Sequence, residues 1–205
     1  MNLELPQPRS AKGRATLKEL LRAGDEILRR DGYAGARVSD ISNAAGLSNG
    51  AFYRYFDDKR HLLLHVIHDF LRYSEEYVHV TFDPEHPMAS VRESTERYMR
   101  FYAQHADMWR AVIEAGQNDP DVEALRNEVT DAWCARIARM LHRAQKAGLV
   151  RADLDCDVAS FLLGGMMQFY AQHAFRPDST LETDPGKVAG TATALWESGA
   201  FVTGR

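Results

Sequence analysis

Cysteine is scarce in this sequence, because Cys134 and Cys156 are the only two among 205 residues. They form no CxxC pair, and no histidine stands near either one at the spacing of zinc ligands. A zinc finger and a disulfide-stapled scaffold are therefore excluded. So few cysteines are typical of a protein that works in a reducing compartment.

Long apolar runs are missing too. The first 14 residues lack the apolar stretch of a signal peptide, and no later segment approaches the roughly 18 apolar residues of a membrane span. We therefore expect a cytoplasmic protein that makes no membrane contact. Apolar residues nevertheless make up 45% of the chain, which is enough to bury a core in one or two domains.

Motifs of the common enzyme sites are absent as well. The sequence contains no nucleophile elbow, no phosphate-cradling glycine loop, no HExxH and no evident carboxylate pair. We therefore expect no enzymatic activity and no bound cofactor.

The alternation of apolar and polar residues that marks a half-buried strand is not sustained anywhere. Apolar residues instead recur at three- and four-residue steps, as on one face of a helix, and the segments are separated by glycine, proline and polar residues. The pattern predicts an all-α protein of about nine helices. Their approximate spans are 17–32, 38–45, 48 onwards, 59–81, 88–106, 107–117, 120–148, 155–174 and 184–201.

Charge is unevenly distributed along the chain. Residues 1–60 carry 11 Lys/Arg and 8 Asp/Glu, a net charge of +3, whereas the remainder carries 14 and 21, a net charge of −7. A basic end is a candidate surface for nucleic acid. The difference is small, so the assignment depends on motifs.

Residues 37–56 meet the requirements of a helix-turn-helix. Ile41 and Ala45 face inward, and Gly46 permits the left-handed backbone of the turn. Leu47 fills the corner between the two helices, and Ser48 caps the second, recognition helix.

The recognition helix begins with small and polar residues. Asn49, Gly50 and Ala51 stand where base edges in the major groove of a double-stranded DNA operator lie. Tyr53 and Tyr55 follow with hydroxyls suited to phosphate oxygens.

The flanking residues divide between core and DNA. Phe52 and Phe56 are better placed for the core, and Lys59 adds a charge for a phosphate. The alternative is that any helix pair in a bundle can contain a glycine and a capping serine, and that tyrosines on a helix usually serve packing.

The segment resembles the TetR family of transcriptional repressors in a set of residues with matching spacing. They are Gly32-Tyr33, Asp40-Ile41, Ala45-Gly46-Leu47-Ser48, Gly50, Phe52-Tyr53, Tyr55-Phe56 and Lys59-Arg60-His61-Leu62. The resemblance implies a DNA-binding domain at 12–72 behind a flexible basic arm at 1–11. It also implies an effector-binding and dimerisation domain at 73–205, and a repressor released from its operator by a small effector, which the side chains of that domain indicate to be hydrophobic or aromatic.

Two residues depart from the family pattern. Arg37 stands where a serine or threonine usually begins the second helix, so it either contacts a phosphate through its guanidinium or points into solvent. Gly24 replaces a usual alanine, which costs roughly 1 kcal/mol of helix stability.

Arg9, Lys12 and Arg14 lie on a lead-in that either reaches the DNA or is disordered.

Aromatic, methionine and polar side chains are mixed between residues 88 and 174, as in an apolar pocket with a few orienting groups. The alternative is that these side chains only fill a core. The expected effector contacts are Phe101, Tyr102, His105, Trp109, Gln117, Trp133, Met140, Met166, Phe169 and Tyr170.

The resemblance implies that the last two helices pair with their copies in a homodimer, in which Gly164-Gly165 permits close helix approach. The expected interface residues are Phe161, Leu162, Gly165, Gln168, Thr191, Leu195 and Trp196.

Three histidines share one helix face, because His61, His65 and His68 stand at steps of four and three. They either present imidazoles to a metal or are unrelated. No cysteine or carboxylate cluster is placed to complete a site, so we expect no metal.

Two other classes of protein remain as alternatives. Turnover of a substrate would indicate an enzyme. Absence of salt-dependent binding to duplex DNA would indicate a helical adaptor that binds other proteins.

Overall fold

The structure is a computed structural model that describes residues 5–83 and 85–201. Within these ranges it contains nine α-helices, which confirms the predicted all-α class. They are α1 (Ala11–Gly35), α2 (Val38–Ala44), α3 (Asn49–Phe52), α4 (Lys59–Val78), α5 (Pro87–Gln104), α6 (Ala106–Asn118), α7 (Pro120–Lys146), α8 (Cys156–Ala174) and α9 (Pro185–Ala200). An isolated antiparallel bridge joins Val150 to Phe201, and the described residues form no strand.

Short-range signals define several helix ends. Asp184 accepts a hydrogen bond from the Lys187 N–H at 2.8 Å, and Pro185 opens the first turn of α9. Asp155 caps α8 in the same way, through the N–H groups of Asp157 and Val158. A carboxylate that accepts from a helix N-terminus also suits the helix dipole, and both helices begin within one residue of the starts predicted at 155 and 184.

Gly32 ends the regular part of α1 although hydrogen bonding continues to Gly35. Its φ of 72° lies in the left-handed region, which glycine adopts without steric cost. The chain turns there, as the glycine predicted.

The chain divides into two compact units, whose boundaries fall within α4, at the start of α6 and within α7. The first comprises residues 1–73 and 107–127, and the second comprises 74–106 and 128–205. Helix α6 and the first turns of α7 therefore pack with the N-terminal helices.

Each unit has its own apolar core. Phe52, Phe56, Leu62 and Ile67 are almost completely buried in the first unit. The second unit has a core cluster that includes Met140, Leu141, Val150, Ala159 and Trp196. None of the helices in the described ranges combines the length and the apolar character that crossing a membrane requires.

Candidate nucleic-acid interface

The turn between α2 and α3 has the geometry that the sequence predicts. Gly46 adopts a φ of 67°, and the N–H of Leu47 donates to the Ser42 carbonyl at 2.9 Å. Open space surrounds the position of a Cβ on Gly46, so its backbone conformation, and not crowding, explains the glycine.

Ser48 is the N-cap of α3. Its backbone is extended, and its hydroxyl oxygen accepts a hydrogen bond from the N–H of Ala51 at 3.2 Å. The cap satisfies a backbone donor that the helix cannot pair internally. It therefore holds the first turn of α3 in a fixed direction.

The first turn of α3 is open to solvent. Asn49 and Gly50 are exposed and Ala51 is half-buried, so a polar and nearly smooth surface is presented there. Tyr53 is 57% exposed. Tyr55 is half-buried, with its hydroxyl near the start of α1, 3.6 Å from the position of a Cβ on Gly13.

The two phenylalanines of the motif lie in the core, as predicted. Phe52 and Phe56 are at most 1% exposed, and their ring centroids are 5.8 Å apart. These rings anchor the short α3 from its inner side, while Tyr53 remains outside.

Lys59 has a contact that the sequence did not reveal. Its ammonium donates to the carbonyls of Tyr33, Ala34 and Ala36 at 3.2, 3.2 and 2.8 Å. The three donors of the ammonium match these three acceptors. Lys59 therefore joins the first turn of α4 to the end of α1, and any phosphate must compete with these carbonyls.

Arg37 occupies the N-cap position of α2 and makes no side-chain capping bond. The residue is exposed, and its guanidinium has no hydrogen-bond partner within residues 5–83 and 85–201. The N-terminus of α2 therefore keeps an uncapped turn beside an exposed cation.

Further cations lie near the motif. Arg54 directly follows Tyr53, is exposed, and was not among the predicted contacts. Its position next to Tyr53 in the sequence was the signal that could have identified it.

Helix α1 begins at Ala11 with Ser10 as its cap, so Lys12 and Arg14 lie on its first turn and not on the expected lead-in. Residues 1–4 of the predicted arm lie outside the described residues.

An aromatic cluster occupies the second unit. Tyr98 stacks on Trp133 with ring centroids 5.6 Å apart and planes 12° apart. Tyr102 stacks on Phe175, and Phe101 contacts His105. Because Tyr98 also contacts Tyr102, two of the expected effector residues, Tyr102 and Trp133, share one group of rings with Tyr98 and Phe175, which were not selected. Phe101 and His105 form a separate pair.

The other expected effector residues lie elsewhere. Met140 belongs to the core cluster of the second unit, and Met166 packs against that cluster. Phe169 is exposed, and Tyr170 donates its hydroxyl to the Glu182 carbonyl. Trp109 and Gln117 fall in the first unit, where Trp109 contacts Phe70 and Gln117 is exposed.

Helix α8 presents an apolar stripe. Val158, Phe161, Leu162 and Phe169 are 54–68% exposed, and Gly165 lies among them with open space before it. Gln168 is half-buried in the same helix.

Of the expected interface residues, fewer are exposed on α9 than on α8. Leu195 is 55% exposed and Thr191 is exposed. Trp196 instead points into the core of its own chain and is only 5% exposed. Gly164 is also internal, where a Cβ atom would lie 3.3 Å from side-chain atoms of both Trp133 and Cys134 of α7.

The histidines of α4 pack mainly on aromatic rings. His61 and His65 both contact the Phe56 ring, whereas His68 lies beside Asp69. Within the described part of the chain, no three His, Cys, Asp or Glu side chains are grouped as metal ligands would be.

Two family models match the chain. The model for bacterial regulatory proteins of the tetR family covers residues 20–66. The model for the tetracyclin repressor-like C-terminal domain covers residues 88–184. Together the two matches span more than half of the sequence.

Known regulators are similar over most of their length. The HTH-type transcriptional regulator EthR of Mycolicibacterium smegmatis is 23% identical over 96% of this chain and 95% of its own. The HTH-type transcriptional repressor NicS of Pseudomonas putida is 22% identical over 86% of this chain and 85% of its own.

Solved structures share the fold. A transcriptional regulator from Saccharomonospora viridis in complex with choline has a TM-score of 0.74 at 19% identity and covers 93% of this chain and 99% of its own. FadR from Bacillus subtilis in complex with stearoyl-CoA has a TM-score of 0.69 at 19% identity, with coverage of 89% and 98%. The helix-turn-helix geometry, both family models and these similarities agree, and the chain belongs to the TetR family of DNA-binding transcriptional regulators.

Proposed function

We propose that the protein is a homodimeric repressor that binds a DNA operator through α3 and is released by a small hydrophobic or aromatic effector. The observation that carries this proposal is the Ser48-capped first turn of α3, with Asn49 and Gly50 exposed at its start. Base edges in a major groove are read by side chains at this end of a recognition helix.

The proposed DNA contacts fall into two groups, those that read bases and those that bind phosphates or position the helix. Asn49 and Ala51 are the proposed base-reading positions, with Gly50 permitting close approach of the backbone. Ser48, Tyr53, Tyr55 and Lys59 lie around them as proposed phosphate or positioning contacts. Two further exposed cations flank α3 in the sequence, because Arg37 precedes it and Arg54 follows it.

The apolar stripe on α8 supports a homodimer. Phe161, Leu162 and Phe169 would leave large apolar surfaces in water in a single chain. A two-fold axis through this face brings the same stripe of a second copy against it. Two recognition helices then face two half-sites about 34 Å apart.

The aromatic cluster of the second unit supports the effector class. Tyr98 and Trp133 offer ring faces, and burial raises the pKa of the Tyr98 phenol, which therefore stays a neutral hydrogen-bond donor. The ion pair of Arg136 with Glu75, 2.9 Å long, adds a half-buried polar group. Rings with a few polar groups suit a small apolar or aromatic molecule.

The core of the second unit contains one further candidate hydrogen-bond donor for an effector. The indole N–H of Trp196 is buried and has no hydrogen-bond partner within the described ranges. A buried donor without a partner costs free energy that a bound acceptor would recover. Trp196 belongs to the core cluster that contains Met140, and not to the Tyr98–Trp133 stack, so we include it as a separate group to test for effector contact.

Selection of bound fragments from random duplex DNA tests the DNA-binding part of the proposal. We expect one enriched sequence with two-fold symmetry and an affinity that falls steeply with salt. Equal binding to all fragments, or no binding, would contradict it. Transcription in vitro from a promoter that contains the selected site distinguishes repression from activation.

Release of the selected duplex by small molecules tests the effector class. The screen compares aromatic acids and phenols, long-chain acyl compounds and quaternary ammonium compounds. Tyr98→Phe and Trp196→Phe retain ring packing and remove one donor each, and Trp133→Leu removes a ring face. Release by aromatic compounds that these variants weaken supports the proposal, whereas release by no compound contradicts induction.

A further inference from the structure

One buried carboxylate joins three separate parts of the first unit. Asp119, between α6 and α7, is only 5% exposed. It accepts a hydrogen bond from the Tyr33 hydroxyl at 2.6 Å and two from the Arg60 guanidinium at 2.7 and 2.9 Å. Arg60 also binds Asp121. We call Tyr33, Arg60, Asp119 and Asp121 the Asp119 network.

The charges in the Asp119 network are matched. Burial alone raises the pKa of Asp119, but the hydrogen bonds from Arg60 and Tyr33 outweigh burial and hold its pKa below the ordinary value. Burial and the bond to Asp119 raise the pKa of Tyr33, so its hydroxyl remains a donor at neutral pH. Asp119 is therefore an ionised acceptor with a full set of partners.

The partners of Asp119 flank the recognition segment in sequence. Tyr33 lies where α1 ends, and Arg60 lies in the first turn of α4; α2 and α3 lie between them. Lys59 closes the same segment by donating to the carbonyls of Tyr33, Ala34 and Ala36. Both ends of the helix-turn-helix are thus held at one place.

A second carboxylate of α6 supports the same attachment. Glu114 accepts from the Ala34 N–H at 3.3 Å. A Cβ on Gly32 would lie 2.5 Å from the other carboxylate oxygen of Glu114, so any larger residue would displace this carboxylate as well as strain the turn. The end of α1 is therefore held by α6 as well as by the Asp119 network.

We propose that Asp119, Arg60 and Tyr33 are positioning residues for DNA recognition, which fix the helix-turn-helix on the α6–α7 junction so that α3 enters the groove in one orientation. The inference goes beyond the proposed operator binding and rests on it. A helix-turn-helix that is folded but loosely held still binds one half-site, whereas simultaneous binding of two half-sites requires a defined orientation.

Asp119→Asn is the main test, because it preserves size and removes the charge. The matched control is Asp153→Asn, since Arg151 binds Asp153 with the same two-bond geometry, at 2.9 and 2.6 Å, on the surface of the second unit. Thermal unfolding identifies a temperature at which all proteins are folded. Affinity is then measured for the selected two-half-site duplex, a single-half-site duplex and a random duplex.

We expect Asp119→Asn to lower affinity for the two-half-site duplex by roughly tenfold, within the range of coupled sites, and to leave the other two affinities nearly unchanged. We also expect Asp119→Asn to tolerate an inserted base pair between the half-sites better than the wild-type protein does. A simple loss of stability would not alter this spacing tolerance. Asp153→Asn should match the wild-type protein in every measurement.

The inference is overturned if Asp119→Asn is folded and retains wild-type affinities and spacing tolerance, or loses all three affinities equally. Tyr33→Phe removes a single hydrogen bond, and the same comparison applies to it if Asp119→Asn does not fold. If the wild-type protein prefers no duplex over random DNA, operator binding itself fails. That result is distinct, because it does not depend on any variant.

Discussion

Gly24 on α1 lies so close to Leu62 on α4 that a Cβ atom on Gly24 would be 2.2 Å from Cδ2 of Leu62. Leu62 is fully buried, so its side chain has little room to move. The glycine therefore serves packing between two helices, and its low helix propensity is not the whole account of its effect on stability.

Gly24→Ala is expected to lower the free energy of unfolding by about 1 kcal/mol. Overpacking destabilises by about 1–3 kcal/mol, whereas the higher helix propensity of alanine stabilises by about 1 kcal/mol. Gly190→Ala on α9 is the control, since its Cβ would meet only Arg92, at 3.9 Å. The control should gain stability. Denaturant unfolding measures both, and an equal gain in the two variants would contradict the packing argument.

Arg37→Thr separates capping from DNA contact at the start of α2. Threonine supplies the missing cap, so we expect a gain of about 1 kcal/mol in stability. Loss of the guanidinium should weaken binding to all duplexes and reduce the slope of log affinity against log salt by about 1. Arg37→Lys keeps the charge and serves as control. An unchanged slope in Arg37→Thr would show that this cation does not contact a phosphate.

Asn49→Ala and Tyr53→Phe should affect DNA binding differently, the first by changing sequence preference and the second by weakening binding to all sequences. Asn49 is a proposed base contact, so its loss should change the selected sequence and cost about 1–3 kcal/mol on the original site. Tyr53→Phe should weaken all sequences by about 1 kcal/mol, the value of one hydrogen bond. Binding to the selected and random duplexes measures the difference, and equal losses on both for Asn49→Ala would refute the division.

Leu162→Glu should weaken the homodimer. Symmetry places the new charge at two positions in the interface, and each buried leucine is worth about 1.5–3 kcal/mol, so the dissociation constant should rise at least about tenfold. Leu181→Glu is the control, because Leu181 is also exposed but lies between α8 and α9. Sedimentation velocity gives the oligomeric state. A dimer in both variants would place the interface elsewhere.

Asp119 makes an acid-dependent contribution to stability. Its pKa is held below the ordinary value of 3.8, so its stabilisation is complete above that pH and is lost as the pH falls through the lower native value. The difference in unfolding free energy between the wild-type protein and Asp119→Asn should therefore be constant near neutrality and shrink in strong acid. A difference that does not change with pH would contradict an ionised Asp119.

Local chemistry made much of this fold predictable. Asp184 and Pro185 start α9, and Gly46 and Ser48 define the turn, because each effect acts within about one helical turn of its residue. The burial of Phe52 beside the exposed Tyr53 followed from helical periodicity in the same way.

Contacts between distant residues were not predictable from the sequence. The sequence indicated only a helix start at residue 120, next to Asp119, whose partner Arg60 is 59 residues away in sequence. Lys59 was assigned to phosphate because its contact with the end of α1 depends on how the helices pack. Trp196 was assigned to a dimer face, although the register of α9 turns it into the core.

The position of Asp119 has a practical consequence for hybrid regulators. A chimera spliced near residue 73 would combine Tyr33 and Arg60 of this chain with a foreign α6–α7 junction. The transplanted DNA-binding half would then keep an acceptor carboxylate only if the foreign junction places an acid at the position of Asp119, even though the splice site lies outside the helix-turn-helix. Residues 107–127 therefore belong with the N-terminal half as a single exchangeable module, despite their separation in sequence.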